Sequence, residues 1–295
     1  MQHLITTNDF TNDEILELFD DAKLFLDLQS NSVLLGKLIV TLFFENSTRT
    51  RSSFEIAAKR LGAEVVNLEV QTSSTKKGET VEDTVANLNA MKPDAIIIRH
   101  SQSGLPESMI EHVDCPILNA GDGMNAHPTQ ALLDLFTISE HFNGDINGKK
   151  LALVGDIKTS RVASSNLSLL PRFNIEPILV APEHFMPQCS NKKVRFLKEV
   201  INEVDVVMSL RTQLERHETK YYETLEEYGA DYCITKDIMQ DKDILLLHPG
   251  PVNRNIDISD EMLLDKRCKV LQQVRNGVAV RMAILKKLIL QNKGN

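Results

Sequence analysis

Residues 47–51 read Ser-Thr-Arg-Thr-Arg, which places three hydroxyls and two guanidinium groups in five consecutive positions. Such a run suits an anion: hydroxyls and backbone N–H groups can surround its oxygens, and arginine offers a planar fork of donors. An ordinary helix cap needs one hydroxyl, and this stretch holds more than that. Cationic and polar residues recur along the chain at Lys76-Lys77-Gly78-Glu79, Arg99-His100, His127, Arg161, Arg211 and Arg216, and at His248-Pro249-Gly250-Pro251. Taken singly, most have a plain reading. Lys76–Glu79 reads as a solvated loop, Arg99 suits an ion pair with a surface carboxylate, His127 fits a loop histidine, and prolines 249 and 251 could simply end a strand. Arg161 is harder to explain, because the first turn of a helix repels a cation and so asks for a further partner. Together these residues suggest a substrate with several negative charges, clamped by arginines.

Other chemistries lack their residues. The chain contains no Ser-His-Asp arrangement that stands out, no zinc-ligand spacing and no G-x-x-x-x-G-K-[ST] loop. Val154-Gly-Asp-Ile-Lys-Thr-Ser-Arg161 lacks the G-x-G-x-x-G of a dinucleotide site. A net charge of -8 argues against a nucleic-acid surface while allowing a local basic pocket. The four cysteines, 115, 189, 233 and 268, are scattered without a CxxC, which fits a reducing cytoplasm. The N-terminus has no secretory layout, and no apolar run reaches the ~18 residues of a membrane span.

The elements that must position these groups alternate. Thr11–Glu14 is a capping box, followed by a helical face of Ile15, Leu18, Phe19, Ala22 and Phe25. Residues 37–44 read as a strand and 51–61 as a helix stopped by Gly62. The anion turn therefore sits where a strand ends and a helix begins, among unpaired N–H groups and partial positive charge. Residues 64–70 form a strand, 71–79 a polar loop, and Thr80 opens a helix bearing Val81, Val85 and Leu88. Strands follow at 94–100 and 116–119, then a loop at 121–127 and a helix from Pro128 to about His141. Asn143–Gly148 is the expected domain boundary. Beyond it come strands at 149–155, 176–180, 205–210 and 243–248, helices at 159–170 and 218–229, and a last helix with Val274, Val278, Met282, Leu285 and Ile289 on one face. Residues 183–203 stay ambiguous between strand and helix. The expected fold is α/β with two domains, each a mostly parallel sheet flanked by helices. In such sheets ligands bind beyond the carboxyl ends of strands, where the polar residues lie.

Taken in order from about residue 37 to 285, Phe-x-x-Ser-Thr-Arg-Thr-Arg, Lys-Lys-Gly-Glu-Thr, Arg99-His100, His127-Pro-Thr-Gln130, Arg211-x-Gln-x-Glu-Arg and His-Pro-Gly-Pro resemble the transcarbamoylases. Lys-Lys-Gly-Glu and Arg-x-Gln-x-Glu-Arg resemble the branch that uses aspartate as acceptor. The ornithine branch typically carries His-Cys-Leu-Pro where this chain has His248-Pro-Gly-Pro251. One departure is Gly250, a position the family often fills with Leu.

The resemblance implies transfer of a carbamoyl group from carbamoyl phosphate to L-aspartate, giving N-carbamoyl-L-aspartate and phosphate in pyrimidine synthesis. Domains are expected at 1–142, with a C-terminal helix 272–295 packing back on it, and at 143–271. By motif, Ser47, Thr48, Arg49 and Thr50 hold the phosphate. Thr50, Arg99 and His127 meet the carbamoyl oxygen, and Gln130 its NH2. Ser73 and Lys77 reach a neighbouring subunit's site within a homotrimer. Arg161, Arg211 and Gln213, with Lys77, serve the aspartate carboxylates. The carbonyls of Pro249 and Gly250 meet the acceptor amine or the carbamoyl NH2, and Glu45 pairs with Arg161 and Arg216 across the domains on closure. No cofactor or metal is expected, and neither nucleic acid nor membrane is a partner. Regulatory chains or a dihydroorotase remain open as further partners. The alternatives are an ornithine-type acceptor and a non-catalytic carbamoyl phosphate-binding protein.

Overall fold

The computed structural model describes residues 1–27, 30–69, 80–212, 221–240 and 242–291. The chain divides into two compact units, Met1–Leu133 with Val274–Asn295, and Asp134–Gln273. It leaves the first unit within helix α5 (Pro128–His141) and returns within α10 (Val270–Gln291), so Asn143–Gly148 is a turn after α5.

In the first unit, strands β1 (Leu38–Phe43), β2 (Glu64–Glu69), β3 (Ala95–His100) and β4 (Ile117–Asp122) form a parallel sheet in the order β2-β1-β3-β4. Helices α1 (Asn12–Leu26), α2 (Thr48–Arg60), α3 (Val81–Ala90) and the short α4 (Leu105–Ser108) belong to it. Val40, Leu42, Ile96, Ile98 and Ile117 pack with Val85 and Leu88 of α3 and with Leu105 of α4. Ile39, Phe43 and Ile97, which alternate with them, are buried too. Both faces of the central strands β1 and β3 are thus covered, as buried parallel strands require.

The second unit repeats the plan. Strands β5 (Lys150–Val154), β6 (Glu176–Val180), β7 (Lys193–Val194), β8 (Val206–Ser209) and β9 (Leu245–Leu247) are parallel in the order β7-β6-β5-β8-β9. They run with helices α6 (Arg161–Leu169), α7 (Leu225–Tyr232), α8 (Lys236–Met239) and α9 (Asp260–Leu263). The ambiguous stretch resolves into the two-residue edge strand β7 between 3-10 turns at Glu183–Phe185 and Leu197–Glu199. Among described residues the helix expected at 218–229 begins only at Leu225, because the Thr224 hydroxyl accepts the Glu227 N–H and caps it there. Val274, expected on the buried face of the last helix, is 50% exposed, while Ala279, Val280 and Ala283 are buried. No helix among the described residues is long and apolar enough to cross a membrane.

The capping box expected at Thr11–Glu14 forms, and it also ties the two ends of the first unit together. Glu14 accepts from Thr11 N at 2.8 Å and from the Gln2 amide at 3.1 Å, and lies 3.1 Å from Lys287 of α10. Burial pushes its carboxyl up, but these three partners outweigh burial and hold it down at about 2, against an ordinary 4.5. A depressed carboxyl contributes stability above its unfolded value and loses that contribution as pH falls through its folded value. The unfolding free energy of Glu14→Gln should therefore lie below that of the parent above pH 4.5, and the gap should narrow towards pH 2. Urea titrations over that range check this, and a gap independent of pH would contradict it.

Candidate functional site

Strand order locates a crevice in each sheet. In the first unit the chain steps from β1 to β2 on one side, then to β3 on the other. Helical connections then diverge beyond the carboxyl ends of β1 and β3, the switch point at which α/β sheets bind ligands. Ser47–Thr50 follow β1, and Arg99 is the penultimate residue of β3, level with Phe43 in the register. In the second unit the switch lies between β5 and β8. Asp156–Arg161 follow β5 and Arg211 follows β8.

Helix α2 starts at Thr48, earlier than the periodicity indicates, so Thr48, Arg49 and Thr50 form its first turn. Ser47 is its N-cap residue, yet the Ser47 hydroxyl makes no capping hydrogen bond. The caps of α1, α3, α6 and α7 all use a Ser or Thr hydroxyl to accept an amide N–H of the first turn. The first turn of α2 also lacks an acidic residue. A helix start of this kind, with its partial positive charge and N–H groups, suits an anion.

Arg99 is fixed from two sides. Its Nη1 donates to the Ala120 carbonyl at 3.2 Å, and its Nε lies 3.1 Å from Glu45 Oε2. The ion pair weighed for Arg99 therefore exists, and its partner is Glu45, two residues past the end of the neighbouring strand. His100 stacks edge-on against Phe44 at 4.8 Å, and burial pushes its imidazole towards the neutral form.

His127 and Gln130 are buried at the start of α5, and the Gln130 N–H donates to the His127 carbonyl. The loop before them is wound around one buried carboxylate, Asp122. It accepts from the N–H groups of Gly104 at 2.8 Å and Ala126 at 3.0 Å, and from the amides of Asn119 at 2.8 Å and Asn125 at 2.9 Å. Gly123 takes φ +47, and a Cβ there would meet the Ser101 carbonyl oxygen and the Ser103 N at 2.8 Å, so only glycine fits.

Arg161 opens α6 and is only 7% exposed. Before it, Asp156 accepts from Thr159 N at 3.3 Å and Thr159 Oγ1 at 2.6 Å, and Ser160 caps the helix. The turn 248–251 rests on a buried pair, His248 Nε2 to Asp257 Oδ2 at 3.1 Å. His248 Nδ1 accepts the Gly250 N–H at 2.7 Å, which leaves the ring proton on Nε2, facing Asp257. Asp257 also accepts from Asn253 N at 2.8 Å and Thr212 N at 3.3 Å, so one carboxylate joins this turn to the residue after Arg211. Gly250 has φ +66, a conformation that favours glycine.

Asp122 and Asp257 were not singled out in the sequence. Asp122 had a usable signal, a turn-forming Asn119-Ala-Gly-Asp-Gly-Met-Asn125 run just before a candidate histidine. Asp257 had none, since its bonds to His248 and Thr212 depend on the tertiary fold. Ser73, Lys77, Gln213 and Arg216 lie outside the described residues. Among the described residues no group of three His, Cys, Asp or Glu side chains could hold a metal. Burial pushes the Cys115 and Cys233 thiols up to about 12 and about 11, which leaves them poor nucleophiles.

Replacing Asp122 by Ala strips an acceptor from several buried donors at once. The loss of stability should be roughly 2–4 kcal/mol, read by urea unfolding. A loss below about 0.5 kcal/mol, as for an ordinary surface change, would contradict the anchoring role.

Two family models match the chain in succession. Residues 2–140 match the carbamoyl-P binding domain of aspartate/ornithine carbamoyltransferases, and residues 147–288 match their Asp/Orn binding domain. The aspartate carbamoyltransferase catalytic subunit of Aliarcobacter butzleri is 69% identical, over 99% of this chain and 100% of the relative. That of Campylobacter lari is 62% identical over the same shares. Among solved structures, the catalytic subunit of M. jannaschii aspartate transcarbamoylase superposes with a TM-score of 0.90 at 36% identity, covering 100% of both chains. The Trypanosoma cruzi aspartate transcarbamoylase in complex with carbamoyl phosphate superposes with a TM-score of 0.90 at 34% identity, covering 97% of this chain and 95% of that one. With both units matched and full-length relatives so similar, the chain belongs to the aspartate/ornithine carbamoyltransferase family.

Proposed function

We infer that the chain transfers the carbamoyl group of carbamoyl phosphate to the amine of L-aspartate, releasing phosphate. The observation that carries this reading is the set of anion-binding groups at the carboxyl ends of β1 and β3, in a unit matched by the carbamoyl-P binding model. Ser47, Thr48, Arg49 and Thr50 bind the phosphate with backbone N–H groups, hydroxyls and a guanidinium. Arg161 and Arg211, with Gln213 and Lys77, bind the carboxylates of aspartate. Ornithine, whose side chain ends in a cation, has no acidic partner in this set.

Attack of the aspartate amine on the carbamoyl carbon builds negative charge on the carbonyl oxygen. Donors fixed at that oxygen bind the transition state more tightly than the ground state. Arg99, Thr50 and His127 take this role, and Gln130 with the carbonyls of Pro249 and Gly250 orients the NH2 groups. Holding amine and carbonyl together lowers the entropic barrier. The departing phosphate accepts the amine proton, so the step needs no protein base. Ser73 and Lys77 act in the site of a neighbouring subunit, which makes a homotrimer with shared sites the working assembly. The scattered free cysteines suit the cytoplasm.

Arg49→Ala and Arg99→Ala should fold as the parent does and lose a factor of about 10²–10³ in turnover. Near-parental turnover in either would remove that residue from the reaction. In a coupled assay for phosphate release, aspartate should support turnover and ornithine should not, and preference for ornithine would overturn the acceptor assignment. Separately inactive Lys77→Ala and Arg49→Ala chains, unfolded and reassembled together, should regain activity. Mixed oligomers that stay inactive would contradict a site shared between subunits.

A further inference from the structure

Arg281 lies in the middle of α10 and is 4% exposed. It is a buried cation far along the sequence from every residue assigned above. Its Nη1 donates to Ser53 Oγ at 2.9 Å and to the Gly277 carbonyl at 3.2 Å. Its Nη2 donates to Thr129 Oγ1 at 3.3 Å, and its guanidinium lies 5.0 Å from the centre of the Phe54 ring. The neighbourhood is shaped around it, since a Cβ on Gly277 would meet Nη1 at 2.7 Å. Ser53 follows Thr50 by one helical turn on α2, so the two lie on the same face. Thr129 follows His127 by two residues and precedes Gln130. One guanidinium therefore grips both the helix whose first turn binds phosphate and the segment that carries His127 and Gln130.

We propose that Arg281 is a positioning residue for carbamoyl phosphate, holding the start of α2 and the 127–130 segment in mutual register through Ser53 and Thr129. A rigid fork does this better than a hydroxyl pair could, because its two nitrogens have a fixed separation and cannot rotate independently. Its buried positive charge also adds to the potential that favours an anion at the helix start. The proposal rests on the assignment of Ser47–Thr50 and His127 to the substrate.

Arg281→Met keeps the bulk of the side chain and removes the fork. The dissociation constant for inorganic phosphate, measured by isothermal titration, should rise roughly tenfold, the effect of a lost hydrogen bond to a charged group. Turnover should fall, and Arg281→Lys should recover part of the loss in both. Ser53→Ala should weaken phosphate binding in the parent and add little in Arg281→Met, because coupled residues are non-additive. Lys286→Ala, which breaks a different α10 contact to Asp21, is the control for helix stability and should leave phosphate binding unchanged. If Arg281→Met does not fold, Arg281→Lys, Ser53→Ala and Thr129→Val carry the test. Unchanged phosphate binding and turnover in the folded variants, or full additivity with Ser53→Ala, would overturn the proposal. If Arg49→Ala also leaves phosphate binding unchanged, the substrate assignment itself fails; if only the Arg281 and Ser53 variants are silent, the positioning role alone fails.

Discussion

A parallel sheet delivers all its strand ends to one edge, and the rest of this molecule depends on that constraint. Parallel strands cannot be joined by a hairpin, so each connection crosses a face and every carboxyl end emerges on the same side. Where the strand order reverses, neighbouring connections part and leave space. The chain uses both reversals, at β1/β3 and β5/β8, and places there its N–H-rich helix starts and arginines. The strands beneath are short, apolar and buried. A donor set at such an end starts from a fixed point, and fixed donors are what stabilise a charge that appears only during reaction.

Loops leave these ends, and loops alone would be loose. The molecule answers with buried carboxylates, each bonded to several donors. Asp122 gathers the loop before His127, Asp156 shapes the turn before Arg161, and Asp257 binds His248, Asn253 and Thr212 together. A buried carboxylate is costly unless its oxygens are satisfied, and here N–H and O–H donors satisfy them. The geometry around the cationic residues is therefore held by anionic ones one layer further in. Arg99 follows the same logic from the opposite sign, with Glu45 beside it.

Much of this was legible in the sequence because the signals are local. The strand-to-helix junction at residue 47, the capping box at Thr11, the helix start at Thr80 and the apolar runs of β1, β3 and β5 depend on neighbours within a turn or two. The less legible parts depend on distant partners. The start of helix α7 at Leu225 is an exception, since the Thr224 hydroxyl that caps it acts within one turn. The buried face of α10 turns away from Val274 because helix α10 is packed by residues from α2 and α5, which no heptad count contains. The Glu45–Arg99 pair is such a case, since the β1/β3 register brings Arg99 level with Phe43 and so within reach of Glu45. Spacing shows which residues a chain has for its chemistry, whereas register and crossover order decide which of them meet.

The central claim is that the first turn of α2 holds the phosphoryl group while the ends of β5 and β8 hold the acceptor carboxylates. A crystal structure of the protein with a bisubstrate analogue that joins a phosphonate to an aspartate moiety tests it most directly. The account predicts the phosphonate oxygens on Ser47, Thr48, Arg49 and Thr50, and the carboxylates on Arg161 and Arg211. A phosphonate bound away from residues 47–50, or carboxylates that bypass both arginines, would contradict it.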